Sequence, residues 1–139
     1  MHVLKSTHRW LRPDGVLLDL HPEPEQPAVE VVIGHRRSSL GRIDNTSLIA
    51  NIHRARQTLS SMVREGWFVA ERSSVFQFVS HFASVDDWLH HRQERRATSV
   101  VDQAIIDGAR DLLVAGTQAE LIVSEQVLAV RLVRVEKRA

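Results

Sequence analysis

Asp19 and His21, two positions apart, are the residues best placed for acid or base chemistry. They close a short apolar run that is typical of a β-strand, and residues two apart on a strand point to the same face of the sheet. An aspartate next to a histidine can support a general base, provided that the ring reaches the proton it removes. We therefore take Asp19 and His21 as candidate catalytic residues. A strand-end histidine that only satisfies its own hydrogen bonds is the simpler alternative.

Two more side chains are candidates for contact with a substrate beside His21. His81 ends a second β-rich stretch, and it would share a sheet edge with His21 if the two strands ran in a suitable register, which the sequence does not determine. Trp88 follows on a predicted helix. Trp10, Trp67 and Trp88 each lie among periodic apolar residues, which favours burial in a core over stacking on a ligand. His21, His81 and Trp88 are thus the candidate substrate-binding set, with core packing as the alternative for Trp88.

The eight histidines do not form a metal-binding motif. His90 and His91 are adjacent on a predicted helix, about 100° apart, and no two histidines are spaced to meet on one helix face. Cysteine is absent, which excludes disulfides, thiolate metal sites and cysteine nucleophiles. No serine lies in the glycine-framed turn of a hydrolase nucleophile. The sequence therefore predicts no metal site and gives no support to hydrolase chemistry.

The composition is that of an ordinary globular domain, and we expect a single domain over residues 1 to 139. The formal net charge is +1, and the arginines are scattered without a basic stripe for nucleic acid. The first residues contain no apolar signal core, and no run reaches the roughly 18 apolar residues of a membrane span. These features predict a cytoplasmic protein that binds neither nucleic acid nor membrane.

Helical spacing of apolar residues predicts two helices in the first half of the chain. One covers residues 2 to 11 and the other residues 48 to 63. Asp44 or Asn45 can cap the second helix, and Gly66 follows it where a C-terminal glycine belongs.

A Ser-x-x-acid pattern, typical of a helix start, occurs twice in the second half of the chain, at Ser84 and Ser99. The first of these helices is predicted to run to about Arg96 and the second to Gly116. A kink at residues 97 and 98 is the predicted connection between them.

Runs of β-branched and aromatic residues predict the strands. These runs cover residues 16 to 20, 28 to 33, 40 to 43, 67 to 70, 75 to 79, 119 to 123 and 127 to 135. The second and third form a hairpin, the fourth and fifth are two strands or one strand with a bulge, and a turn at residues 124 to 126 joins the last two. The elements together predict an α/β or α+β fold, with helices packed on a mixed, largely antiparallel sheet.

The first strand follows a tight turn, and this segment is the most informative of the chain. Pro13 fixes its own φ, and Gly15 is expected to take the positive φ that ends the turn. Residues 16 to 20 are apolar except for Asp19. Such a nearly continuous run is typical of a strand that is covered on both faces.

This helix, turn and strand resemble the segment of class I S-adenosylmethionine-dependent methyltransferases in which a "vLkPGG" turn leads into the fifth strand. The turn here is Leu11-Arg12-Pro13-Asp14-Gly15, and Asp14 stands where the family usually carries glycine. The helix of residues 48 to 63, the start of a strand at Gly66-Trp67-Phe68 and the closing strand are similar in order and type to the family's C-terminal half. Residues 82 to 89 also resemble the "F.s.deW" helix of some members. The resemblance implies the C-terminal part of a Rossmann-like fold, whose last strand inserts antiparallel between the fifth and sixth.

The resemblance does not extend to the cofactor site of that family. Gly-x-Gly, the core of the family's glycine-rich loop, occurs nowhere in this chain, and the six glycines are dispersed. The resemblance therefore implies that this chain has no cofactor-binding residue. S-adenosylmethionine would bind only if a partner supplied the missing half. The strand of residues 16 to 20 would then lack its usual neighbour, and an unpaired apolar strand promotes association. We expect a homodimer through this edge, a partner chain that supplies the missing half, or a rearranged sheet in which the hairpin of residues 28 to 43 covers the edge.

Three functional hypotheses follow from these observations. The first is the C-terminal part of a methyltransferase-like protein that is catalytically silent alone. The second is a small dimeric α+β module for interaction or ligand binding. The third is an autonomous small enzyme, which depends only on Asp19 and His21.

Overall fold

The computed structural model of the chain describes residues 2 to 114 and 118 to 136. Four helices and five strands follow one another in these residues. In chain order they are α1 (His2–Trp10), β1 (Val16–Pro22), β2 (Ala28–Ile33), β3 (Arg36–Arg42), α2 (Thr46–Arg64), β4 (Phe68–Phe82), α3 (Val85–Glu94), α4 (Gln103–Val114) and β5 (Ala119–Arg134). The predicted helix end at Gly116 lies outside the described residues.

The last strand, β5, holds the sheet together. It pairs with β1, β2 and β4, and β2 also pairs with β3. The five-stranded sheet is antiparallel, with β1 along the second half of β5 from Val16↔Val133 onward and β2 along the first half from Ala28↔Ser124 onward. This confirms the predicted combination of helices with a largely antiparallel sheet.

The described chain separates into two compact units. The first contains residues up to Pro24, Ala50–Phe76 and the chain from Val127 onward, and the second contains Glu25–Ile49 and Gln77–Gln126. Strands β4 and β5 contribute to both. The single domain expected from the chain length stays a prediction.

In the first unit, α1 and α2 cover one face of β1 and of the second half of β5. The core consists of buried residues from α2, β4 and β5, namely Leu59, Met62, Phe68, Val130 and Leu132, with Leu4 and Leu17 packed against it. Side chains alternate between the faces of a strand, so the residues on either side of Leu17 point away from these helices. Leu18 and Leu20 are 65% and 61% exposed. The prediction that this strand is covered on both faces is therefore wrong, because the described helices of the unit pack on one face only.

The edge of β1 is open on the side away from β5, since no described strand pairs with it. The β2–β3 hairpin pairs with β5 and not with β1. The rearranged sheet in which the hairpin covers the β1 edge is therefore wrong. Trp10, expected in a core, is largely exposed at the end of α1.

In the second unit, α3 and α4 contribute to a core with the hairpin and the first half of β5. Trp88 is among its buried residues, as predicted for a core anchor, together with Val29, Val31, Ile43, Val85, Ile105, Ala109 and Leu121. Gly41 has φ +142°, and a Cβ atom there would lie 3.0 Å from Ile105 Cδ1. The glycine thus permits the close approach of α4 to β3.

Of the two helix starts predicted from the Ser-x-x-acid patterns, the structure has the first where it was predicted and the second further along the chain. Ser84 Oγ accepts a hydrogen bond of 3.0 Å from the backbone N–H of Asp87, which confirms the first cap. The second helix begins later than predicted, because Asp102 Oδ1 accepts the bond from Ala104 N–H at 2.9 Å and Ser99 lies outside the helix. Residues 95 to 102 are not helical, so α3 and α4 are separate helices and not one helix with a kink.

Two polar stretches lie inside continuous strands; the first was predicted as either a break between two strands or a bulge in one, and the second as a turn. The polar residues 71 to 74 lie within β4, and residues 124 to 126 within β5. The turn predicted at Ser124 is wrong because that residue is buried and paired with Ala28 of β2. Pairing with a distant strand thus overrides a local turn preference.

The turn before β1 is confirmed, with a change in the residue that has the positive φ. Gly15 N–H donates to Arg12 O at 2.8 Å, which closes the turn, and Asp14 has φ +57°. Gly15 is needed for space, since a Cβ atom there would lie 2.7 Å from Arg12 O.

Candidate functional site

The structure brings Asp19 and His21 into direct contact. Both side chains lie on the face of β1 that carries Leu17, and His21 Nδ1 is 2.7 Å from Asp19 Oδ2. The side chain of His21 is only 11% exposed, while that of Asp19 is 31% exposed. The aspartate is therefore the member of the pair that is more open to solvent.

The second ring nitrogen of His21 limits what the histidine can do in this arrangement. His21 Nε2 is buried and has no hydrogen-bond partner among the described residues. A neutral ring with its proton on Nδ1 leaves no buried N–H without an acceptor, so the contacts favour this tautomer. In this form His21 donates to Asp19 and holds one of the carboxylate oxygens in place.

Asp19 lies in a groove of the first unit formed by α1, β1 and α2, with a volume of about 360 Å³. The polar lining comes from Asp19 and from three residues of α2, Asn51, Arg54 and Thr58. The apolar lining consists of Val3, Leu4, Ala55 and Leu59. A concave surface with a few convergent polar groups is the usual form of a small-molecule site.

An ion pair fixes the chain just beyond this groove. Arg56 Nη1 and Nη2 each lie 3.1 Å from an oxygen of Glu23, two residues after His21. Arg54, two residues before Arg56 in α2, forms no ion pair with any described residue. The two arginines therefore differ: Arg56 is neutralised within the fold, and the charge of Arg54 is available at the groove.

His81 and Trp88 belong to the second unit, whereas His21 belongs to the first. His81 Nδ1 lies 3.1 Å from Glu120 Oε2, on an exposed stretch of β4 that borders a cavity of about 600 Å³. Trp88 is buried in the core and does not line that cavity. Neither unit thus contains the complete set of His21, His81 and Trp88.

Asn51, Arg54 and Thr58 were missed by the sequence reasoning. Their spacing of three and four residues places them on one face of α2. A usable signal was present, because the 19 residues of α2 contain no aspartate or glutamate while they include Arg54, Arg56 and Arg64. A helix face of hydrogen-bond donors next to the strand of Asp19 would have indicated this groove.

The part of the chain that the structure describes has no cluster of three or more histidine, aspartate or glutamate side chains arranged to hold a metal ion. Within the same residues, no helix has both the length and the apolar character to cross a bilayer.

Comparison of the chain with protein-family models, with curated proteins and with solved structures finds no match in any of the three.

Proposed function

We propose that this chain is the C-terminal part of a class I S-adenosylmethionine-dependent methyltransferase-like protein, catalytically silent by itself. The position of β5 is the observation that carries this proposal. Arg134 N–H donates to Gly15 O at 2.9 Å, next to β1, and Val135 N–H donates to Trp67 O at 3.1 Å, next to β4. Neighbouring N–H groups of a strand point to opposite edges, so this end of β5 has β1 on one side and β4 on the other. The order β1, β5, β4 is similar to that of the family's C-terminal half, in which the last strand lies between the fifth and the sixth.

The helices of the first unit support the same interpretation. α1 precedes β1, α2 follows it after the hairpin, and residues of both pack on the face of Leu17 and Leu132. Rossmann-like folds carry helices on both faces of the sheet. The exposed face with Leu18 and Leu20 is where the helices of a cofactor-binding half would pack.

The backbone at Asp14 supports the proposal independently. The family usually has glycine at this position of the turn, and Asp14 has φ +57°, a conformation that glycine adopts without strain. Aspartate is one of the few other residues that tolerate it.

The departures from the family pattern fall mainly in the second unit. The β2–β3 hairpin lies between β1 and α2, and the α3–α4 pair lies between β4 and β5. Both belong to the second unit, and the first unit keeps α1, β1, most of α2, the first half of β4 and the second half of β5. We interpret the hairpin and the helix pair as insertions into the parent topology.

The absence of Gly-x-Gly from the sequence is the reason to expect a silent chain. Without that loop the backbone has no cradle for the methionine part of S-adenosylmethionine, and the cofactor is expected only together with the missing first half of the fold. Isothermal titration of the chain with S-adenosylmethionine tests this directly. We expect no heat of binding, and tight one-to-one binding would overturn the claim that the site is absent.

The nucleotide sequence upstream of the Met1 codon tests the origin of the chain. A reading frame, in frame or shifted, that encodes a strand followed by Gly-x-Gly is the expected result. Its absence would count against a methyltransferase-like origin and favour the second candidate.

That second candidate is a small dimeric module, and the open edge of β1 favours it. Leu18 and Leu20 are exposed beside this edge, which is the arrangement that promotes strand-to-strand association. Light scattering behind size exclusion would then give twice the mass of the chain, and Leu18→Glu would return it to a monomer. Val3→Glu, at an exposed position of α1, is the matched control and should leave the mass unchanged. A wild-type monomer at micromolar concentration would exclude this dimer.

A further inference from the structure

We infer that the groove between α1, β1 and α2 binds a small zwitterion of the amino-acid type, with its ammonium group at Asp19 and its carboxylate at Arg54. The groove presents one carboxylate and one guanidinium group, and these two do not form an ion pair with each other. A ligand that carries both charges can pair with each of them, which is why a zwitterion fits better than a simple amine or acid.

The polar groups of the groove are available for a ligand. Asp19 Oδ2 accepts from His21, while Oδ1 has no hydrogen-bond partner among the described side chains and backbone groups. Within the same part of the chain, the guanidinium of Arg54 and the side-chain amide of Asn51 also form no hydrogen bond. Charge-assisted bonds to such groups are stronger than bonds between neutral partners.

His21 prepares the aspartate for this role. Because its 2.7 Å bond holds Oδ2, the carboxylate does not have to be ordered when the ligand binds. The buried position of His21 keeps the ring itself away from the ligand.

The apolar lining selects for a ligand with a hydrocarbon part. Leu4 and Leu59 belong to the core side of the groove, and Val3 and Ala55 border its opening. An aliphatic amino acid combines this apolar surface with the two charges. The inference does not depend on the proposed methyltransferase-like origin, since it involves neither the β1 edge nor the cofactor.

Proton–nitrogen correlation spectra of the full chain, titrated with L-leucine, test the inference. We expect saturable shifts of the amide signals of Asp19, Asn51, Arg54 and Thr58, with a dissociation constant of about 1 mM for so small a ligand in an open groove. Isocaproate, which lacks the amine of leucine, and isoamylamine, which lacks its carboxylate, should each bind about tenfold more weakly.

Two variants assign the charges. Asp19→Asn should weaken the binding of leucine about tenfold and leave the affinity for isocaproate unchanged. Arg54→Gln should weaken the binding of leucine similarly and leave the affinity for isoamylamine unchanged. Arg64→Gln, on the same helix but outside the groove, is the control and should not affect leucine binding. The spectrum of each free variant shows whether it is folded, so a loss of binding by misfolding is recognised.

Three results would overturn the inference. The first is the absence of saturable shifts with wild-type protein, and the second is saturable shifts confined to residues outside the groove. The third is equal affinity for leucine, isocaproate and isoamylamine, which would indicate an apolar contact without recognition of charge.

Discussion

The carboxylate of Glu23 accepts a hydrogen bond of 3.1 Å from each terminal nitrogen of Arg56, so the segment after β1 is joined to the middle of α2 by a bidentate pair. Side-chain exposure is 34% for Arg56 and 18% for Glu23, and such partly buried pairs keep more of their strength than exposed ones. We expect Arg56→Leu to lower the free energy of unfolding by about 1 kcal/mol, measured by urea denaturation.

A matched control for this pair exists on the hairpin. Arg37 and Glu30 form a single bond of 3.0 Å, and the arginine is 63% exposed. Arg37→Leu should lower the free energy of unfolding by less than about 0.5 kcal/mol. Equal losses at Arg37 and Arg56, or no coupling in a double-mutant cycle of Glu23 with Arg56, would contradict the expectation.

The positive φ of Asp14 makes this turn sensitive to side-chain shape. Asp14→Gly should leave stability within about 0.5 kcal/mol of wild type, because relief of strain offsets the added freedom of the unfolded chain. Asp14→Val should lower it by about 1 to 2 kcal/mol, since a β-branched residue is strained at φ +57°. Thermal unfolding of both variants measures the difference, and a valine variant as stable as the glycine variant would refute it.

Asp44 gives a stability contribution that depends on pH. Its carboxylate accepts bonds from the Thr46 hydroxyl and from the Thr46 N–H at the start of α2, and these bonds lower the pKa of Asp44. A group with a lowered folded-state pKa stabilises the fold above its unfolded pKa, and the contribution is lost as the pH falls through the folded value. The gap in melting temperature between wild type and Asp44→Asn should therefore narrow as the pH drops from about 7 to about 3.

Thr46→Ala tests the cause of this pH dependence, since the hydroxyl is the largest contributor to the shift. In a Thr46→Ala background, the difference in melting temperature made by Asp44→Asn should change less with pH. If the difference in melting temperature between wild type and Asp44→Asn widened on acidification, the ionised carboxylate of Asp44 would not be the source of the stabilisation.

Glu125 has a pKa shift opposite in direction to that of Asp44, so its effect on stability has the opposite dependence on pH. Burial within β5 raises the pKa of its carboxyl. The folded chain then holds the proton more tightly than the unfolded chain, so stability increases as the pH falls through the raised value. Glu125→Gln should be more stable than wild type at about pH 8 and lose this advantage near about pH 4, as followed by urea denaturation.

Glu136→Gln is the control for Glu125, because Glu136 is exposed after the end of β5. It removes the same charge without a change in burial and should shift stability by less than about 0.5 kcal/mol. An advantage of Glu125→Gln that persists unchanged at acidic pH would indicate improved packing and not relief of a buried charge.

Local patterns predicted local structure well. The i, i+2 spacing of Asp19 and His21 was enough to predict that they share one face of the strand, where the structure shows them in contact. The helix of residues 48 to 63 was predicted because its apolar spacing and caps agree, and the structure extends it only to Thr46–Arg64.

The errors arose where distant segments decide the outcome. Ser124 is a turn former, yet pairing with Ala28 keeps it in a strand. Trp10 and Trp88 have similar sequence surroundings, but only Trp88 meets the strands and helices of a core. The groove was missed because its lining combines α1, β1 and α2, which lie far apart in the chain.

The dependence of β1, β2 and β4 on β5 has a consequence for synthesis on the ribosome. Val16 finds its partner Val133 more than one hundred residues later, so the first strand leaves the exit tunnel long before its ladder can form. The β2–β3 hairpin is the pairing that a nascent chain can complete early. Strands β1 and β4 have β5 as their partner in the described sheet, so their exposed apolar side chains stay without this pairing until β5 is translated, and such surface favours aggregation in that interval.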